Sequence, residues 1–184
     1  MKRPTGKPSD EPMRFFTREL YRQFNSSDEA EADRADTAWE AAIKGCRENL
    51  GTIRERLPSG ALQLSELCLH DAEILALSVG AEPAARSGPA IVVLSVSSGS
   101  QVTDLVYLGA EHVRQLPADP NWPFSAERKH WLYDEIDLAR APAGGFVHRI
   151  LFSDGSVAEI PFTSVVIHRY DVPGLASSTA RRTA

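Results

Sequence analysis

The chain has 184 residues, 42% hydrophobic and 24% charged, with 20 Lys+Arg against 25 Asp+Glu for a formal net charge of −5. This suits one globular domain with a sizeable core, and the acidic balance argues against a nucleic-acid binder, which carries a basic stripe. No run approaches the ~18 apolar residues of a membrane span, and Cys46 and Cys68 alone make no disulfide scaffold, which fits a reducing, cytoplasmic setting.

Residues 1–12 hold Pro4, Pro8 and Pro12 among polar residues and no apolar stretch, so a disordered tail without a signal peptide is expected there. Phe15–Phe24 reads as a short helix, with Phe16, Leu20 and Phe24 on one face. Asn25-Ser26-Ser27 breaks it and supplies an N-cap for a long helix over 28–57, with Asp28 and Glu29 in its first turn. In that helix Trp39, Ile43, Cys46, Leu50, Ile53 and Leu57 step by 4, 3, 4, 3, 4, an a/d seam. Packing on a sheet is the plainer use of the seam; a dimer through the long helix is the alternative. Pro58-Ser59-Gly60 ends the helix.

From Gly60 onward the pattern becomes short β-rich runs between turn residues. Strands are expected over 74–79, 91–96, 102–108, 131–138, 146–152, 157–162 and 165–169, with a proline-rich loop at 117–125. Phe152-Ser153-Asp154-Gly155-Ser156 offers a three-residue hairpin loop with Gly155 in the left-handed region. Its register sets Arg149 against Glu159 and His148 against Ile160, sorting charge with charge and apolar with apolar. Residues 171–184 read as a second disordered tail. The expected architecture is α+β: one domain over 13–170, helical over 13–57 and strand-rich over 61–170, with N-terminal helices packed on a mostly antiparallel meander sheet of about six or seven strands.

Candidates for chemistry are few. His70 and Asp71 are adjacent, and such a pair can ligate a metal or shuttle protons. Adjacent side chains of an extended chain diverge, however, so the pair needs a turn to converge; stabilising a turn at the entry to the first strand is the plainer role. His148 and His168 lie on strands and could approach each other, although a lone His on an apolar face is ordinarily a satisfied core residue. Trp131 to Asp137 alternates, placing Leu132 and Ile136 on one face and Trp131, Tyr133, Glu135 and Asp137 on the other, an aromatic-acidic face suited to a basic protein partner. No phosphate-binding glycine loop, nucleophile elbow or metal-binding motif occurs, so no cofactor, catalytic set or metal site is assigned.

Arg14-Phe15-Phe16-Thr17-Arg18-Glu19-Leu20-Tyr21, Leu69-His70-Asp71-Ala72, and Trp131 to Glu135 followed by 146–162 together resemble a bacterial family of unknown function whose members open with a Phe-Thr-x-Glu-Leu-Tyr segment. The resemblance covers about Met13 to Arg169 and implies no activity, cofactor or site. It also implies a start near Met13, so deletion of residues 1–12 is expected to leave the fold intact. The strand-rich half is similar, more loosely, to small bacterial immunity proteins, which would make the chain a non-enzymatic protein-binding module. The alternative is a small metal-binding or hydrolase-like enzyme using His70, Asp71 and a distant histidine.

Overall fold

The computed structural model describes residues 13–81, 90–110, 113–124, 127–139 and 145–173. Both expected tails lie outside this range, except that Asp171 ends a strand and Val172 donates its backbone N–H to Ser100 O at 2.8 Å.

The first helix, α1 (Arg18–Phe24), begins three residues later than expected, because Thr17 caps it by accepting Leu20 N–H at 3.1 Å. The long helix, α2 (Glu29–Ile53), is capped by Asp28, not by the serines before it; the Asp28 carboxylate accepts Glu31 N–H at 3.0 Å, while Ser26 Oγ accepts Asp28 N–H. A turn of 3-10 helix (Arg54–Arg56) carries the seam on to Leu57. A third helix that the sequence did not announce, α3 (Ser59–Leu64), follows Pro58. It lies so close to the strands that a Cβ at Gly60 would collide with the carbonyl oxygen of Val165.

The strands are β1 (Glu73–Ala81), β2 (Ala90–Ser98), β3 (Gln101–Ala110), β4 (Arg114–Leu116), β5 (Trp131–Leu138), β6 (Phe146–Phe152), β7 (Val157–Phe162) and β8 (Ser164–Asp171). They form two antiparallel sheets of four, ordered β1-β2-β3-β8 and β4-β7-β6-β5, in place of the single sheet expected. The chain leaves the first meander after β3, builds the second sheet, and returns along β8 to pair with β3. Two sheets follow because each has an apolar face to cover, and facing them together covers both. Trp131 N–H to Ala72 O at 2.9 Å and Thr163 N–H to Leu108 O at 2.9 Å tie the sheets at two places.

Two cores result. Between the sheets, Val92, Leu94, Leu105 and Tyr107 of the first meet Trp131, Ile150, Ile160 and Phe162 of the second, joined by Ala61 and Leu64 of α3. On the other side of the second sheet, Leu132, Leu151 and Val157 pack beneath Met13, Phe16 and Trp39. The a/d seam is thus spent inside the molecule, with Trp39, Ile53 and Leu57 buried and Ile43, Cys46 and Leu50 half-buried.

The β6–β7 hairpin has the expected loop and register: Gly155 has φ 73°, Gly155 N–H donates to Phe152 O at 2.8 Å, and Arg149 stands opposite Glu159 with 3.0 Å between Nε and Oε2. On β5 the expected faces need correction. A register shift between Trp131 and Tyr133 makes Leu132 an extra residue, so Trp131 turns into the inter-sheet core while Leu132 joins Tyr133 on the helix side. Strict alternation cannot continue through a bulge.

Candidate functional site

His70 and Asp71 do converge. Leu69 to Ala72 forms a turn closed by Ala72 N–H to Leu69 O at 3.0 Å, with Asp71 at φ 64°, a conformation that aspartate tolerates better than most residues. His70 Nδ1 stands 3.1 Å from Asp71 Oδ2, and the His70 ring meets the Tyr133 ring edge-on at 5.0 Å. Burial, then the neighbouring Tyr21 and the Asp71 charge, push the Tyr133 hydroxyl above its ordinary pKa, and burial followed by the Asp71 charge does the same to Tyr21. Around them Tyr21, Trp122 and Phe124 pack ring on ring at 5.3–5.7 Å, which fills the space between the rings.

His148 is elsewhere, in the inter-sheet core. Its Nδ1 is 2.8 Å from the Tyr107 hydroxyl and its Nε2 is 3.0 Å from Asp134 Oδ2; Asp134 Oδ1 accepts the Trp131 indole N–H at 3.0 Å. The chain Tyr107–His148–Asp134–Trp131 therefore gives each of its four polar tips a partner within or beside this apolar layer. Burial, and secondarily the Asp134 charge, drives the Tyr107 hydroxyl well above its ordinary pKa. Tyr107 and His148 have no exposed surface, so solvent reaches this chain only at its Asp134 end. His168 is on a third part of the molecule, exposed on β8 opposite Asp104. The histidines thus occupy separate places, and among the described residues no group of three or more His, Cys, Asp or Glu could hold a metal ion.

Tyr133, Glu135 and Asp137 share the helix-side face, and that face is covered. Glu135 is 3% exposed and accepts backbone N–H groups from Arg14 at 2.6 Å and Phe15 at 2.9 Å, fastening the entry to α1 onto β5. Burial raises its pKa although both N–H groups and the nearby Arg149 oppose the rise. Asp137 is 3.4 Å from Arg14, and Tyr133 stacks on Phe16 and meets Trp39 edge-on. Glu135 is withdrawn from solvent, while Tyr133 and Asp137 each keep part of their surface exposed.

A cleft of about 500 Å³ lies between β1, β4 and the β6–β7 hairpin, lined by Ile74, Leu77, Leu116, Phe152 and Val157. Lys129 Nζ at its wall donates to Asp154 Oδ2 at 2.8 Å and to Ser156 Oγ at 2.9 Å, and sits 5.1 Å from the centre of the Phe152 ring. Ser156 Oγ donates to Asp154 Oδ1. Burial works against the Asp154 charge, but the hydrogen bonds from Lys129 and Ser156 outweigh it and hold the carboxyl below its ordinary pKa. A carboxylate so stabilised is a poor base for the serine hydroxyl. Nothing in the spacing of Lys129, Asp154 and Ser156 announced it.

The first sheet has a different exterior. Its exposed large hydrophobic residues are Leu75 and Val79 on β1, Ile91 on β2, and Val166 and Tyr170 on β8, and these are all the exposed large hydrophobics among the described residues. Val92, Leu94, Leu105 and Tyr107 point inward, so Ile91, Val93, Val106 and Val166 point outward. On the same outward face Asp104 accepts the Tyr170 hydroxyl at 3.1 Å through Oδ2, while its buried Oδ1 has no hydrogen-bond partner among the described residues. No helix among the described residues is long and apolar enough to cross a membrane. No family model, curated protein or solved structure matches the chain.

Proposed function

We propose that this is a non-enzymatic protein-binding module whose docking surface is the first sheet. The observation that carries this reading is the exposure of Ile91, Val166 and Tyr170 on the outward face of that sheet, beside Val93 and Val106, while α1 and α2 cover the outer face of the second. Contiguous exposed apolar surface of this kind is a usual mark of an interaction site. A basic partner would suit a chain of net charge −5. An immunity-like role, occupying a basic toxin, is one specific form of this reading. The separation of His70, His148 and His168 weighs against the hydrolase-like alternative.

The test is affinity capture from native-host extract with the wild-type chain and with an Ile91→Asp/Val166→Asp variant. The reading expects one protein retained by the wild type and lost by the variant, with circular dichroism unchanged. Equal retention by both contradicts it.

A further inference from the structure

β1 is paired along its outer edge only at its beginning. Trp131 N–H donates to Ala72 O, Ile74 N–H donates to Lys129 O at 2.8 Å, and Glu73 bridges His130. From Leu75 to Ala81 the strand has β2 on one side and, among the described residues, no backbone partner on the other. At ~3.3 Å per residue this is about 23 Å of unpaired edge. Natural edges are blunted by lysine, proline or charge, and the stretch Leu-Ala-Leu-Ser-Val-Gly-Ala has none. Its bulge, between Ile74 and Ala76, lies at the start and leaves the remainder in regular register with β2.

Beside this edge lies the cleft, to which β1 contributes Ile74 and Leu77. The two charged side chains that line it neutralise each other, Lys129 holding Asp154 at 2.8 Å. A charged side chain would find no uncompensated counter-charge there, whereas an apolar one would meet Leu77, Leu116, Phe152 and Val157. An unpaired edge beside an apolar pocket is the geometry of strand addition, in which main-chain hydrogen bonds hold the peptide and alternate side chains enter the pocket.

We infer that the partner contributes an extended, uncharged segment that adds to the free edge of β1 between Leu75 and Ala81 and places an apolar side chain in the cleft. This rests on the reading of the first sheet as the docking surface and names what reaches it.

The test is a titration of the full chain with a short blocked peptide alternating valine and threonine, followed by backbone amide NMR. Saturable shifts centred on 75–81 are expected. The same peptide with alternate amides N-methylated should bind about tenfold or more weakly, having lost two or three hydrogen bonds. Leu77→Glu should weaken the unmodified peptide by a similar factor. Absence of shifts at millimolar peptide, or equal binding of the N-methylated form, overturns the inference, and so does a dimer in solution with the same amides already protected. A captured partner that the peptide does not displace overturns strand addition and leaves the docking surface standing. Peptide binding with no partner captured overturns the docking surface alone.

Discussion

The Tyr107 hydroxyl on β3 of the first sheet is 2.8 Å from His148 Nδ1 on β6 of the second, and both side chains are wholly buried. Removing the hydroxyl strands an imidazole nitrogen away from water, so Tyr107→Phe should cost about 1–3 kcal/mol. Replacing both partners by apolar groups removes the unmet polar atom, so Tyr107→Phe combined with His148→Phe should cost less than the two single changes summed. Urea denaturation of the four proteins checks this; strict additivity would show that the contact contributes no coupling.

Two carboxyls give opposite pH slopes. Burial raises the folded pKa of Glu135 above 4.5, so its proton binds more tightly in the folded chain. Its contribution to stability is present below 4.5 and is lost as pH rises through the folded value. The folded pKa of Asp154 lies below 3.8; its contribution is present above 3.8 and is lost as pH falls through the folded value. Stability measured against pH for the wild type minus Glu135→Gln, and for the wild type minus Asp154→Asn, should therefore slope in opposite directions. Slopes of the same sign would contradict one of the two assignments, the one whose sign is reversed.

The cysteines should differ in reactivity. Cys46 lies under the helix seam, where burial and the carboxylates of Glu135, Asp134 and Asp137 push its thiol up to about 12, while Cys68 is exposed. The thiolate is the reactive form, so iodoacetamide at neutral pH should label Cys68 first in the native chain and reach Cys46 only after denaturation. Peptide mass mapping reads the order; early labelling of Cys46 would show that the seam is open.

Gly60 is a packing requirement. An added methyl meets the Val165 backbone, which cannot rotate away as a side chain would, so Gly60→Ala should destabilise by about 1–3 kcal/mol or more. Gly51→Ala, with nothing within 4 Å of the new atom, should be neutral or stabilising by up to about 1 kcal/mol. Thermal melts of the two variants should move apart; equal melting temperatures would place α3 away from β8.

Much of the local structure was legible. The α2 seam follows from spacing alone, and the β6–β7 register from sorting Arg149 against Glu159. Three other features were not. The division into two sheets depends on β8 returning to β3, which puts Val106 opposite Val166, a pairing no local pattern encodes. The faces of β5 hinge on Leu132, whose bulge leaves no mark in an alternating string. Strand β4 is three residues long, too short to show a period. The exposed exterior of the first sheet was hidden for the first of these reasons: without knowing which sheet α1 and α2 cover, the strands over 91–96 and 165–169 carry no mark of which face is open.

Hydrogen–deuterium exchange of the chain, alone and bound to the protein it captures, tests most directly whether the first sheet is the docking surface. The account predicts slowed exchange in β1 and β8, with the acidic half of α2 from Glu29 to Glu40 unchanged. Protection confined to α2, or to the His70–Asp71 turn, would contradict it.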